Sequence, residues 1–107
     1  MVKMDVFESE GRVARFAVSG HAGYAKSGKD IVCAAVSALV LNAINSSEKL
    51  LGVKLPVNDN GDYLECDVPD IVRTREDLQL LLQSMVFGVE QTVAAYPKYA
   101  KLTRHSA

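Results

Sequence analysis

The feature that most constrains the fold is a glycine-rich segment, residues 20–28, that leads directly into a long apolar segment. Glycine adopts backbone conformations that other residues avoid, so this segment favours a loop. Its three glycines are Gly20, Gly23 and Gly28. Asp30 then suits the N-cap of a helix, because its carboxylate can accept hydrogen bonds from unpaired amides of the first turn. We predict that this helix runs to about Leu51, with Gly52 as its C-terminal stop.

The predicted helix carries apolar residues that are often small. Its apolar positions include Ile31, Ala34, Ala35, Ala38, Leu41, Ile44 and Leu51. Small side chains let a helix approach its neighbour closely, so we expect close packing against a sheet or against a partner. The longest nearly apolar run, residues 31–41, is shorter than the ~20 residues that a membrane helix needs. No membrane partner is therefore expected.

Hairpins are predicted on both sides of this helix. Residues 2–7 and 12–18 alternate between apolar and polar side chains around a glycine-containing turn, which is the period of half-buried strands. Residues 53–57 and 63–68 repeat the pattern after the helix. Pro56 cannot donate a ladder hydrogen bond, so the first strand of the second hairpin is expected at a sheet edge.

A second amphipathic helix is predicted after the second hairpin. Residues 74–77, Thr-Arg-Glu-Asp, resemble a capping box in which Asp replaces the usual Glu. The helix ends near Tyr96 and Pro97, because proline cannot continue it. Gly88 lies inside it and weakens a helix by about 1 kcal/mol relative to alanine, so we expect close packing there. Residues 98–107 show no clear pattern.

These elements predict an α+β fold in the order ββαββα, a two-layer domain over residues 1–107 in which two helices pack on a sheet of two hairpins. The length suits one domain. A net charge of −1 provides no field for nucleic acid, so no direct nucleic-acid partner is expected. The N-terminus has no apolar signal core, and two cysteines without a C-x-x-C pattern make no strong metal motif. We therefore expect a reduced, cytoplasmic protein without metal or cofactor.

His21 and Cys33 are the candidate catalytic pair, since an imidazole that takes a proton and a sulfur that attacks suffice for thiolate chemistry. Cys33 lies three residues after the predicted cap, where the helix dipole lowers a thiol pKa and amides can hold an oxyanion. Ser37 follows one turn later on the same face, and Asp30 could orient the imidazole. A buried structural cysteine followed by apolar residues is the competing interpretation. By the same reasoning Cys66 is expected in the core, and His105 is expected to be solvated.

Three other sites are possible but less favoured. Residues 23–29 satisfy G-x-x-x-x-G-K, yet Asp30 stands where a phosphate loop needs Ser or Thr, and its carboxylate would repel phosphate. A metal site would need residues that are scattered along the chain, namely His21, Cys33, Cys66 and His105. A non-catalytic module could dock on a ribosomal or RNA surface through Tyr24, Lys26 and Lys29, although two lysines in a near-neutral chain are weak evidence.

Residues 20–25, Gly-His-Ala-Gly-Tyr-Ala, and residues 28–37, Gly-Lys-Asp-Ile-Val-Cys-Ala-Ala-Val-Ser, resemble the ribosomal-processing cysteine protease Prp family of Firmicutes and related bacteria. The similarity extends to residues 61–63 and 96–97 and to the chain length. It implies that His21 and Cys33 form a catalytic dyad.

The resemblance also implies a substrate and an assembly. Members of this family remove a short N-terminal extension from a large-subunit ribosomal protein, the twenty-seventh in the standard series, and cut beside a hydrophobic, aromatic-containing motif. They resemble homodimers of small α/β subunits. Asp30 and Ser37 match positions that support the site. The glycine loop, with Gly20, Gly23, Tyr24 and Gly28, is expected to bind substrate and to carry His21 towards Cys33 when substrate binds.

Overall fold

The computed structural model describes residues 1–20 and 28–107, with the side chains of residues 28–30 excepted. The elements are β1 (Val2–Ser9), β2 (Arg12–Ser19), α1 (Gly28–Leu51), β3 (Val57–Asp59), β4 (Tyr63–Asp67), α2 (Asp70–Arg73), α3 (Glu76–Ala95) and β5 (Ala100–Ser106). Five strands form one sheet in the order β3-β4-β2-β1-β5, and α1 and α3 pack with it around a common core. The predicted α+β class, with two hairpins and two long helices, is confirmed.

The sheet has a fifth strand that the sequence pattern did not reveal. β5 pairs in parallel with β1, with Val2 opposite Ala100 and Glu8 opposite Ser106. It forms one edge of the sheet, so its side chains do not alternate cleanly between buried and exposed. Residues 98–107 therefore gave no strand signal, because their partner lies at the other end of the chain. The element order ββαββα is extended by β5 and by the short helix α2.

The buried face of α1 includes only some of its apolar residues. Its buried residues are Val32, Cys33, Val36, Val40, Ala43 and Ser47. Ile31 is 60% exposed and Leu41 is 45% exposed, and Ala34 and Ala38 are also exposed, so these apolar positions do not face the core. Apolar residues occur around most of the first turns of α1, so the pattern alone fits two faces. The valines bury more apolar area than the alanines do, which favours the observed face.

The segment Ile31–Leu51 of α1 is long and apolar enough to cross a membrane, judged by length and composition alone. Within the described part of the chain it is one such helix, and the core helices of soluble proteins pass the same test. One side of α1 packs against the sheet and α3. The absence of a membrane partner stays a prediction.

α1 and α3 approach closely at Gly88, as predicted. A Cβ at this position would lie 2.9 Å from Cδ2 of Leu39 in α1. Glycine therefore lets the two helices pack without displacing the Leu39 side chain.

The predicted capping box does not form. Thr74 is the C-cap of α2, and α3 begins at Glu76 with Arg75 as its N-cap and no side-chain capping hydrogen bond. Gln79 in the first turn instead joins α3 to β2, because its Oε1 accepts from the Val13 amide at 2.8 Å and its Nε2 donates to the Val13 carbonyl at 3.0 Å. The helix start is thus fixed by a contact with the sheet.

The second hairpin is shorter than predicted. β3 begins at Val57, while Val53 and Leu55 are buried outside any strand. Gly52 has φ +71°, and the next residue returns to α1 because the Val53 amide donates to the Ser47 carbonyl at 2.9 Å. Glycine is therefore the stop of α1, as expected. β3 lies at a sheet edge, which confirms the prediction from Pro56.

Candidate active site

Cys33 lies where α1 passes the end of β2. Its side chain is only 7% exposed, and its thiol lies 3.9 Å from the carbonyl oxygen of Gly20, within the range of a weak S–H···O hydrogen bond. Neither Cys33 nor Cys66 is in a disulfide. The carbonyl that contacts Sγ belongs to the peptide bond between Gly20 and His21. The end of β2 therefore brings the Gly20 carbonyl to the sulfur.

α1 begins at Gly28, two residues before the predicted cap at Asp30. The prediction that Asp30 is the N-cap is therefore wrong, and Cys33 lies in the second turn rather than the first. The unpaired amides of a helix belong to its first turn, where the effect of the dipole is also concentrated. The dipole thus acts on Cys33 from one turn away. A supporting role of the Asp30 side chain stays a prediction, because that side chain lies outside the described part.

Gly20 is held in a conformation and a position that only glycine fits. Its φ is +76°, and a Cβ there would lie 2.5 Å from the Met1 carbonyl oxygen. Its amide donates to the Asp62 carbonyl at 3.2 Å. Met1, just before β1, and the turn before β4 therefore both restrict the peptide that faces Cys33. Of the predicted loop residues, Gly28 is the first residue of α1, whereas His21, Gly23 and Tyr24 lie outside the described residues, and their roles stay predictions.

Ser37 lies one turn after Cys33 on α1 and is half-buried. It lines a cavity of about 30 Å³ at the α1–sheet boundary, which sequence reasoning missed. The other lining residues are Val18, Val40, Leu41, Asp59 and Leu64. In the sequence, the spacing of Cys33, Ser37 and Val40 indicates that they share one face of the helix. Two of them, Ser37 and Val40, line the cavity.

Cys66 is a structural core residue, as predicted. It is fully buried in β4. Burial, with a smaller contribution from Asp67, raises the pKa of its thiol to about 12. The group is therefore protonated across the physiological range, which excludes it as a nucleophile at neutral pH.

His105 is not simply solvated, and that prediction is wrong. The pairing of β5 with β1 places it opposite Phe7, and the two rings stack with centroids 4.7 Å apart. Its Nε2 lies 2.7 Å from Oδ1 of Asp5. Because side chains alternate along a strand, Phe7 lies on the opposite sheet face from buried Val6. His105 therefore lies across the sheet from the core that contains Cys66, and among the described residues no group of three potential metal ligands forms.

The same open sheet face carries an ionic network. Arg15 donates to Oε2 of Glu65 at 2.5 Å, and the Tyr63 hydroxyl donates to that oxygen at 2.9 Å. The hydrogen bond from Arg15, followed by that from Tyr63, lowers the pKa of Glu65. Arg15 also lies over the Phe7 ring at 4.9 Å. These groups stabilise the far side of the sheet and lie away from Cys33.

The chain resembles known proteins along nearly all of its length. Residues 1–101 match the family model described as cysteine protease Prp. The ribosomal processing cysteine protease Prp of Bacillus subtilis is 30% identical over 95 residues, covering 85% of each chain. The protein of the same name from Staphylococcus aureus is 28% identical over 105 residues, covering 95% of this chain and 97% of its own.

Solved structures agree with these relatives. A Streptococcus mutans crystal structure superposes with a TM-score of 0.93 at 27% identity, covering 100% of this chain and 96% of its own. The S. aureus ribosomal processing protease Prp in complex with a substrate peptide superposes with a TM-score of 0.86 at 25% identity. This match covers 97% of this chain and 99% of the S. aureus chain. A structure of the S. aureus protease with a covalently linked product peptide superposes with a TM-score of 0.84 at 28% identity. This match covers 97% of this chain and 99% of the S. aureus chain. In fold, in length and in sequence, the chain belongs to the Prp family of cysteine proteases.

Proposed function

We propose that this cysteine protease is an endopeptidase that removes the N-terminal extension of a large-subunit ribosomal protein, the twenty-seventh in the series, with Cys33 as nucleophile and His21 as general base. The observation that carries the dyad is the 3.9 Å distance between Sγ of Cys33 and the Gly20 carbonyl. His21 directly follows that carbonyl in the chain, which supports its assignment as the base. The names of the relatives support the processing role.

The proposed chemistry follows from these two groups. Thiolate is the reactive form of cysteine, and a carbonyl such as that of Gly20 can accept a hydrogen bond but cannot take a proton from Cys33. His21 takes the proton, and Sγ attacks the scissile carbonyl carbon to form a tetrahedral intermediate. The imidazolium then protonates the leaving amine, which departs and leaves a thioester. Water, deprotonated by His21, releases the acid product and regenerates the thiol. The covalently linked product peptide in the S. aureus relative fits a covalent route.

The test is cleavage of the extended ribosomal-protein precursor, followed by intact mass spectrometry. Wild type should release one N-terminal peptide, whereas Cys33→Ala and His21→Ala should leave the precursor intact. Cys66→Ala is the matched control, because it removes the other thiol and should retain cleavage. Full cleavage by Cys33→Ala would sink the assignment. Binding of the precursor by wild type without any cleavage would favour the non-catalytic docking module instead.

The protein is further proposed to act in the cytoplasm as a homodimer. Support for self-association comes from exposed apolar side chains in the helix layer, where Leu50 is 74% exposed and Phe87 is 62% exposed. Light scattering coupled to size exclusion should give about twice the chain mass of 11.6 kDa. A mass of one chain at tens of micromolar protein would contradict the dimer.

A further inference from the structure

Asn60 lies in the turn between β3 and β4 and closes that turn with its side chain. Its Oδ1 accepts from the Asp62 amide at 3.1 Å and from the Tyr63 amide at 2.9 Å. Its own amide donates to the Tyr63 carbonyl at 3.1 Å. Asparagine side chains commonly bond the backbone two residues further on, and such bonds hold a turn in one conformation. Asn60 therefore fixes the backbone that leads into β4.

The Tyr63 amide that donates to Asn60 belongs to the same peptide group as the Asp62 carbonyl. A peptide group is planar, so a contact that orients its N–H also orients its C=O. This carbonyl accepts from the Gly20 amide at 3.2 Å. The contact continues the pairing of β2 with β4 one residue beyond its last pair, Ser19 with Tyr63. Asn60 thus orients the acceptor that holds Gly20.

Gly20 connects this turn to the sulfur. Its carbonyl oxygen lies 3.9 Å from Sγ of Cys33, and the residue that follows it in the chain is the proposed base, His21. A continuous series of contacts therefore runs from the Asn60 side chain through the peptide before Tyr63 and through Gly20 to the proposed nucleophile.

Neither backbone conformation nor burial accounts for asparagine at position 60. The left-handed conformation in this turn falls on Gly61, with φ +95°, and Glu10 is the one non-glycine residue in the described part of the chain with a positive φ. Asn60 is exposed, so packing contributes little to its role. A substitution that removes Oδ1 therefore removes two hydrogen bonds and leaves the core intact.

We propose that Asn60 is a positioning residue of the protease site, which orients the Asp62–Tyr63 peptide and through it holds the Gly20 peptide against Cys33. The inference rests on the proposed role of Cys33 as nucleophile and adds a residue that acts on it through two backbone groups. A displacement of about 1 Å at a catalytic group lowers a rate by up to about a hundredfold. Loosening of the turn should therefore lower kcat, whereas KM should change little because Oδ1 already bonds the backbone.

The experiment measures steady-state cleavage of the extended ribosomal-protein precursor, with kcat expressed per folded protein. Loss of two ordinary hydrogen bonds corresponds to roughly tenfold in an equilibrium, so Asn60→Ala should lower kcat about tenfold and leave KM within about twofold of wild type. Asn60→Asp keeps an oxygen that accepts from the turn amides, so its kcat should return to within about threefold of wild type.

Asn58→Ala is the matched control. Asn58 is the same residue type in the same hairpin, lies in β3 and is exposed. Its side chain makes no hydrogen bond within the described part of the chain. Both kcat and KM of this variant should equal those of wild type.

Hydrogen exchange followed by NMR tests the same contacts without substrate. In Asn60→Ala the Gly20 amide should exchange about tenfold faster, relative to the Phe16 amide, than it does in wild type. Phe16 is the reference because it lies in β2 with β1 on one side and β4 on the other. A fold that is merely less stable would accelerate both amides, and the ratio is taken within one sample.

The outcomes separate this inference from the proposed function. Loss of cleavage in Cys33→Ala together with an unchanged kcat in Asn60→Ala would overturn the positioning role and leave the endopeptidase assignment intact. A main effect on KM, a loss of kcat that Asn60→Asp fails to restore, or an unchanged exchange ratio would do the same. Failure of wild type to cut the precursor, or full cleavage by Cys33→Ala, would overturn both. A lower kcat in Asn60→Ala with a restored kcat in Asn60→Asp and a raised exchange ratio would establish the positioning role.

Discussion

Gly20 packs so closely against Met1 that a Cβ at Gly20 would lie 2.5 Å from the Met1 carbonyl oxygen. The backbone of Gly20 has φ +76°. This contact fixes the last peptide before His21, whose carbonyl faces Cys33. Met1, which precedes β1, therefore helps to set the position of the Gly20 peptide beside Cys33. A change at Gly20 should affect both stability and cleavage.

Gly20→Ala should destabilise the protein by at least about 2 kcal/mol, because left-handed backbone costs an L-residue roughly 1–2 kcal/mol and the new Cβ also meets Met1. The displaced peptide should lower kcat/KM at least tenfold. Chemical denaturation and precursor cleavage measure the two effects. Gly11→Ala is the control, since Gly11 has φ +77° but open space around its Cβ position. Equal losses of stability, with cleavage unaffected in both variants, would refute the coupling.

Gly88→Ala tests the close approach of α1 and α3. Alanine favours a helix over glycine by about 1 kcal/mol, but its Cβ would lie 2.9 Å from Cδ2 of Leu39. In the Leu39→Ala background the substitution should therefore stabilise the fold by about 1 kcal/mol, whereas in wild type the gain should vanish or reverse. Denaturant titration of the four proteins gives the coupling energy. A coupling near zero would show that Leu39 does not limit the helix contact.

Native Cys66 should resist alkylation. With a pKa of about 12, its thiolate fraction at pH 8 is roughly one in ten thousand, and the residue is fully buried. Iodoacetamide should therefore modify the native protein once, at Cys33, and the denatured protein twice. Peptide mass mapping locates the adducts, and native Cys33→Ala should gain none. Selective modification of Cys33 near pH 6 would support an activated thiolate, while labelling of native Cys66 would contradict its burial.

The Arg15–Glu65 contact should make stability depend on acid pH. Because the folded-state pKa of Glu65 is lowered, chiefly by the hydrogen bond from Arg15, its contribution is present above the unfolded-state pKa of roughly 4.3 and is lost as pH falls through the folded-state pKa. Glu65→Gln should therefore lose stability relative to wild type at pH 6, and the difference should shrink by pH 3. Urea titrations at both pH values measure it, with exposed Glu48→Gln as the control. A difference independent of pH would exclude ionisation as the cause.

Local chemistry in the sequence predicted much of the fold. Gly52 marked the end of α1, Pro56 marked an edge strand, and Gly88 marked a close helix contact, because each of these residues restricts its own backbone or the space beside it. Cys66 was placed in the core by strand alternation, which depends only on its immediate neighbours. The sequence also identified Cys33 as the candidate nucleophile, and its resemblance identified the family.

Tertiary structure decided the features that depend on distant partners. β5 exists because it pairs with β1 from the opposite end of the chain, and that pairing stacks His105 on Phe7. The buried face of α1 could not be chosen from its sequence, since apolar residues occupy more than one face and only the sheet selects the valines. The cavity next to Cys33 likewise requires β2, β4 and α1 to meet. Periodicity records which residues tolerate burial, whereas the partner surface determines which of them are buried.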